Sequence, residues 1–371
     1  MSSYFVNALS ARLGGGKTYI LNLLTNLPDD NLKIYLVCPD KNLVPDDPRV
    51  IYVESPIANK NIIFRAFWEA LYLPFILMRL NISVLFVPGG MDFTFFTNGI
   101  PKVTMFRNML PFDSGAIDHL PSVKLRIKNW VLKHLMSRTM STADHVVFIS
   151  NYAKKMIENH VDIKSSNVIY HGISDAFFPT EKSYIEKEYI LYVSRFEPYK
   201  NHLNLIVAYN RLDEVYKKKY NLVLIGELMK PSFSECMDYI NKNNLSNSVI
   251  VKGKIPYESL PKLYQRAVLF VFPSSCENCP NILLEAIGCG VPVIASKTEP
   301  MPEFAQDAGL YFNEKCHEDI RQCLTDVLSK PDLLSSMKKK SILLRNNYMW
   351  KNTALKTWGC LKAIGDGSVY K

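Results

Sequence analysis

The sequence predicts an α/β protein built on open, parallel β-sheets. Short apolar runs without alternation recur along the 371 residues, each followed by a turn rich in Gly, Pro or Ser and then by apolar residues at helical spacing. Strand, glycine turn and helix follow one another near the N-terminus, and strand, loop, helix and strand follow again at 268–296. The length suffices for two domains of ordinary size.

Composition narrows the function. A chain with 48% hydrophobic and 21% charged residues has a soluble globular balance. Its formal net charge of +9 suits an acidic substrate or an anionic membrane surface. The charge is spread rather than gathered in a basic tail, so nucleic acid is not an expected partner. No cleavable signal pattern and no uninterrupted apolar stretch of ~20 residues is present, so the expected location is cytoplasmic, with peripheral contact on the inner face of the membrane. The eight cysteines then read as thiols. Cys276-x-x-Cys279 has no second ligand pair, and no Asp-x-Asp occurs, so no metal is expected.

In chain order, Tyr4 to Leu9 reads as the first strand. Gly14, Gly15 and Gly16 open the helix Tyr19 to Leu27, an arrangement in which backbone amides approach an anion closely. Gly16-Lys17-Thr18 also matches the tail of a Walker A loop, but Ala11 stands where its leading glycine belongs. Leu32 to Cys38 and Arg49 to Val53 are strands. Ile62 to Arg79 is a helix with a narrow stripe of Arg65, Glu69, Tyr72 and Arg79, otherwise apolar and kinked at Pro74; the Arg65/Glu69 pair favours burial in the core over a membrane. Ile82 to Val87 ends in Pro88-Gly89-Gly90, and Val103 to Phe106 leads into Arg107 and Asn108. His119 to Met140 carries five Lys or Arg, no acid and Trp130, a composition suited to lipid headgroups although its basic residues do not gather on one face. His145 to Ile149 and Val168 to Ser174 complete the first half.

Thr180 to Glu188 is polar and aperiodic, as a linker is. Tyr189 to Val193 then opens a second sheet and is followed by Ser194-Arg195-Phe196-Glu197-Pro198-Tyr199-Lys200. Leu222 to Gly226 and Val249 to Gly253 are further strands. Val268 to Phe272 is a buried strand, Pro280 is suited to a first helical turn, and Ile282, Leu283, Ala286 and Ile287 form an apolar face closed by Gly288 and Gly290. Val291 to Ala295 is again a strand. Glu277 falls in the loop and Glu285 in the helix, where a carboxylate needs partners to offset its desolvation.

The spacing Glu277-x7-Glu285, followed by Gly288-x-Gly290-Val-Pro-Val-Ile-Ala-Ser, resembles the signature of the family 4 retaining glycosyltransferases (glycosyl transferases group 1), which have the GT-B fold. The resemblance implies two Rossmann-like doubly wound domains facing across a cleft: an acceptor-side domain at 1–180, a linker at 181–188, a nucleotide-sugar domain at 189–345 and a last helix at 346–371 returning to the first domain. It implies that Arg195 and Lys200 grip the donor diphosphate and that Glu277 faces the sugar hydroxyls, these three being the catalytic candidates. Glu285 would bind the ribose. Gly14, Gly15, Gly16, Asn278, Asn281 and Ile282 join it as donor-binding candidates, and Arg107 and Asn108 line the acceptor side.

No cofactor is implied beyond a nucleotide-diphosphate sugar as substrate, and the acceptor class is a glycan or lipid-linked oligosaccharide of a surface polysaccharide. Two departures stand out. Asn278-Cys279-Pro280 occupies the place of a common Gly-Phe-Gly, leaving the sugar open, and Arg107-Asn108 stands where His-Asp is common. A GT-B sugar-nucleotide epimerase, an inactive GT-B interaction subunit and a P-loop ATPase are the rival readings; the first would need no acceptor, the second would not need Arg195, Lys200, Glu277 and Glu285, and the third would hydrolyse ATP through Lys17.

Overall fold

The computed structural model describes residues 2–12, 15–28, 31–180 and 188–368. The chain divides into two compact units, one of residues 1–112, 127–172 and 350–371, the other of residues 113–126 and 173–349.

The first unit is built on seven parallel strands: β1 (Ser2–Asn7), β2 (Leu32–Val37), β3 (Val50–Tyr52), β4 (Val84–Val87), β5 (Lys102–Phe106), β6 (His145–Phe148) and β7 (Ser166–Val168). Their order is β3-β2-β1-β4-β5-β6-β7, so the winding reverses between β1 and β4. The central strands lie between covering layers, and β4, β5 and β6 are buried throughout. The last helix, Trp350–Gly365, belongs to this unit. Trp358 donates its indole N–H to the Leu23 carbonyl at 3.1 Å, and Thr357 and Tyr19 share a buried hydroxyl contact at 3.1 Å.

The stretch expected to be a core helix is only half in the core: Trp68, Leu73 and Leu77 join a buried apolar cluster beside Arg65 and Glu69. It consists of Ile62–Phe67, a single π turn at Trp68–Tyr72, and Leu73–Arg79. The wide turn follows from Pro74, which has no N–H to give; Leu73 N–H reaches back five residues to the Trp68 carbonyl instead. Arg65 and Glu69 face inward with these apolar residues, whereas much of the remaining apolar circumference is exposed. The basic stretch at 119–140 lies largely in one helix, Val123–Thr142.

The second unit has six parallel strands: β8 (Glu188–Val193), β9 (Tyr220–Ile225), β10 (Val249–Lys252), β11 (Leu269–Phe272), β12 (Val293–Ser296) and β13 (Gly309–Phe312). The order β10-β9-β8-β11-β12-β13 repeats the topology of the first unit, with the reversal between β8 and β11. Both sheets are therefore doubly wound in the Rossmann manner. Residues 113–126 and 173–180 group with this unit, although the sequence reading placed them before the boundary. Local contacts account for this: Ile173 donates to the Tyr348 carbonyl at 2.6 Å, Arg345 Nε donates to the Phe177 carbonyl at 3.3 Å, and Asp113 lies beside the Cys276 thiol. Except for Glu188, which opens β8, the expected linker 181–188 lies outside the described residues.

Gly226 ends β9 with a φ of +157°, and a Cβ there would stand 1.8 Å from the Ser194 carbonyl oxygen. Only glycine lets this turn lie against the backbone that carries Arg195. Gly226→Ala is expected to destabilise the protein by about 2–4 kcal/mol, read from denaturant unfolding, because both the conformation and the contact oppose a side chain.

Candidate functional site

In open α/β sheets ligands bind beyond the carboxyl ends of the strands where the winding reverses. In the second unit that position is occupied by the loops after β8 and β11. Asn201, in a left-handed conformation with φ 53°, anchors them: its side chain donates to the Pro273 carbonyl at 2.8 Å, and Ser275 donates its backbone N–H to the Tyr199 carbonyl at 2.9 Å. The Tyr192 hydroxyl donates to the Lys200 carbonyl at 2.8 Å, fixing the backbone of that lysine.

So held, Lys200 donates through Nζ to Glu277 Oε1 at 2.5 Å, both side chains being largely shielded from solvent. The two sequence candidates, 77 residues apart, thus form one ion pair. The ammonium also lies 5.0 Å from the centroid of the Tyr199 ring and 6.0 Å from that of Phe272, contacts that favour a cation. Arg195 is more open. Its guanidinium donates to Glu197 Oε1 at 2.5 Å and stands 3.9 Å from Glu227 Oε2. Glu197 also accepts from the Tyr199 hydroxyl, so it joins the two cationic residues through one carboxylate and one ring. Sequence reasoning missed Glu197 and Tyr199; the only available signal was their place within the Arg195–Lys200 segment.

The helix Asn281–Gly288 begins one residue after the Pro280 expected to start it, and Pro280, at its N-cap position, makes no side-chain cap. Its leading amides are suited to an anion. Asn278 is buried in the turn before it, Asn281 is the first helical residue, and the Ile282 carbonyl accepts from the Tyr264 hydroxyl at 3.3 Å. Burial of Cys276, with Asp113 and Glu277 nearby, pushes its thiol well up, so it stays protonated. Among the described residues no group of His, Cys, Asp and Glu has the arrangement of a metal site.

Glu285 lies on the same helix, in a different setting. Its two oxygens accept from the hydroxyls of Tyr257 at 3.0 Å and Tyr264 at 3.2 Å. Burial pushes its carboxyl up to about 7, and the tyrosine hydrogen bonds offset only part of that rise. The folded protein therefore holds this proton more tightly than the unfolded chain, so the group's effect on stability is absent below the unfolded value near 4.5 and becomes a growing penalty as pH rises towards 7. Glu285→Gln is expected to unfold at a higher temperature than wild type at pH 8, by an amount on the order of 1–3 kcal/mol in stability, and to lose that advantage at pH 4.5. Thermal unfolding of both proteins across this range checks it.

In the first unit the reversal lies between β1 and β4. The helix Gly15–Thr25 starts there, and Gly89 approaches Ser10 so closely that a Cβ would stand 1.9 Å from its hydroxyl oxygen. Gly14 lies outside the described residues. Arg107, after β5, has its guanidinium 5.2 Å from the Tyr19 ring centroid, with Nη1 3.9 Å from where a Gly16 side chain would begin. Arg107, Gly15 and Gly16 therefore share one end of the sheet. Asn108 is exposed, and its side chain accepts from the Leu110 N–H at 3.3 Å. Lys17, the residue on which a Walker reading depends, is bonded to Asp40 Oδ2 at 2.6 Å.

Residues 13–177 match the family described as Glycosyltransferase Family 4, and residues 174–343 the family described as Glycosyl transferases group 1. The chain is 28% identical over 176 residues to the O-antigen chain mannosyltransferase B of Escherichia coli, a match covering 47% of this chain and 46% of that protein. The match spans less than half the length of each of the first curated relatives. Among solved structures, the sucrose-phosphate synthase of Thermosynechococcus elongatus superposes with a TM-score of 0.77 at 16% identity, over 99% of this chain and 100% of that one. HepE of Anabaena, in complex with UDP and glucose, superposes with a TM-score of 0.71 at 14% identity, over 98% and 100%.

Proposed function

The chain belongs to the group 1, family 4 glycosyltransferases, with the GT-B fold, and from that we propose that it transfers a hexose from a nucleotide-diphosphate donor to a glycan or lipid-linked oligosaccharide during surface polysaccharide synthesis. Mannose is the proposed sugar, following the E. coli relative. The observation that carries this reading is the Lys200–Glu277 pair at the strand reversal, with Glu277 in the loop that leads into the helix Asn281–Gly288. It juxtaposes a cation for a diphosphate with a carboxylate for sugar hydroxyls.

The chemistry follows from charge. As the glycosidic bond breaks, negative charge grows on the departing diphosphate and positive charge on the anomeric carbon. Lys200, Arg195 and the first amides of Asn281–Gly288 stabilise the former. Glu277 orients the sugar ring. Glu285 holds the ribose hydroxyls in place of the tyrosine hydroxyls it now accepts from, and Asn278, Asn281 and Ile282 shape the donor pocket. In the first unit, Gly15, Gly16 and Arg107 form the proposed anion-binding end, Gly14 being assigned the same role from the sequence alone, with Asn108 towards the acceptor. The acceptor attacks on the leaving-group face and the departing phosphate assists removal of its proton, so configuration is retained. Lysine and arginine supply the counter-charge that a metal supplies elsewhere.

A thermal-shift panel of nucleotide sugars tests the reading, because a true donor at a hundred times its dissociation constant adds about 2.7 kcal/mol of stability. A GDP-hexose is expected to shift unfolding most. No shift with any sugar nucleotide, together with no transfer to lipid-linked acceptors, defeats it.

A further inference from the structure

The helical stretch 62–79 turns Arg65, Trp68, Glu69, Leu73 and Leu77 inward and leaves a second apolar side uncovered. Arg65 and Glu69 are 4% and 0% exposed, and they are well satisfied: Arg65 Nε donates to Glu69 Oε1 at 2.7 Å and its Nη2 to the Met91 carbonyl at 2.9 Å, while Glu69 also accepts from Asn7 Nδ2 at 2.7 Å and from the Phe93 N–H at 2.9 Å. This network clamps the helix in one rotation. The opposite side then presents Ile63, Phe64, Phe67, Leu71, Phe75 and Met78 outward, with Ile63, Phe67 and Phe75 at 63%, 60% and 68% exposure. So many large apolar side chains along one helix form a patch of the kind that marks an interaction surface.

The charges around it identify the occupant. Glu69 is the only acid between Lys60 and Arg79, and it is turned inward. Lys60 lies over the Phe64 ring at 5.6 Å. The loop held by Glu69 and Arg65 carries the exposed Phe95 and Phe96, and Arg138 of the helix Val123–Thr142 covers the Phe95 ring at 4.2 Å. That helix has no acid, and it exposes Lys128, Lys133 and Trp130. The cations seen against these exposed rings are Lys60 on Phe64 and Arg138 on Phe95, and between Lys60 and Arg79 no acid faces outward. Two copies brought together through it would oppose like charges, whereas anionic lipid headgroups complement them. Among the described residues no helix is long and apolar enough to cross a membrane, so the element would lie in the plane of the interface.

We infer that the face of residues 62–79 carrying Phe67 and Phe75, with Lys60 over Phe64 at its start, is the surface by which this chain docks on an anionic lipid bilayer. The test is co-sedimentation of the full chain with vesicles of phosphatidylglycerol and phosphatidylcholine, beside vesicles of phosphatidylcholine alone. Binding to the anionic vesicles, reduced about tenfold or more in lipid affinity by Phe67→Ser with Phe75→Ser, is the expected result. A far-ultraviolet circular dichroism melt establishes that the double variant is folded. As a second readout, Phe67→Trp is expected to gain blue-shifted emission, beyond that of the parent protein, on adding anionic vesicles. Failure of the parent to bind, binding unchanged in a folded double variant, an unshifted Phe67→Trp, or a concentration-dependent dimer abolished by the same substitutions without vesicle binding each overturns the proposal.

Discussion

Lys200→Ala is expected to lower turnover by about three orders of magnitude, with a smaller effect on donor affinity. The lysine is fixed by the backbone bonds around Asn201 and by the Tyr192 hydroxyl, and it is largely shielded from water. A preorganised cation in such a site stabilises developing negative charge by about 3–4 kcal/mol, which corresponds to a factor on the order of a thousand. Removing it also leaves the Glu277 carboxylate without its counter-charge, so alanine is more disruptive than loss of the phosphate contact alone. Arg195→Ala is expected to cost less, about one to two orders, because that guanidinium is exposed and already shared between Glu197 and Glu227. Steady-state constants for both variants with the identified donor check this. Near-normal turnover of Lys200→Ala would remove the lysine from the mechanism.

Local periodicity made much of this architecture readable. The strand, loop, helix and strand at 268–296 needed only an apolar run, a helical stripe and the punctuation of Pro and Gly, all within one stretch of chain. The Lys200–Glu277 pair depended instead on two loops meeting at a sheet reversal: the resemblance named each residue from its own motif, but their contact was not legible in the sequence. The tyrosines on Glu285 could not be found this way: Tyr257 and Tyr264 precede it by 28 and 21 residues, and nothing local links them. The helical stretch 62–79 shows the deeper limit. Its periodicity revealed a polar stripe in an apolar circumference, but which side turns inward depends on Asn7, Met91 and Phe93, which satisfy Arg65 and Glu69 from elsewhere in the fold, while Trp68, Leu73 and Leu77 enter the core beside them. Similarly, residues 113–126 sit with the second unit because of neighbours such as Cys276 that lie far along the chain.

Glu277→Gln and Glu285→Gln are expected to fail in different constants. Glu277 lies in the loop before the helix and contacts Lys200, so its carboxylate stands where the diphosphate meets the sugar in the proposed reading. Hydrogen bonds from sugar hydroxyls to a charged acceptor strengthen as positive charge develops at the anomeric carbon, and an amide cannot follow that change. Its loss is expected to lower turnover about a hundredfold or more, with donor affinity changed severalfold at most. Glu285 is fixed by a helix and by two tyrosine hydroxyls. Ribose hydroxyls held there are held equally in the ground and transition states, so its loss is expected to raise the donor KM about ten- to a hundredfold while kcat stays within severalfold. The raised carboxyl of Glu285 adds a second signature: a protonated acid accepts less well from two hydroxyls, so wild-type donor affinity should fall as pH drops below about 7, and Glu285→Gln should flatten that dependence. Measuring kcat and KM for both variants between pH 6 and 8 decides between the two roles. Loss of turnover at unchanged donor affinity in Glu285→Gln, with loss of affinity alone in Glu277→Gln, would reverse the assignment.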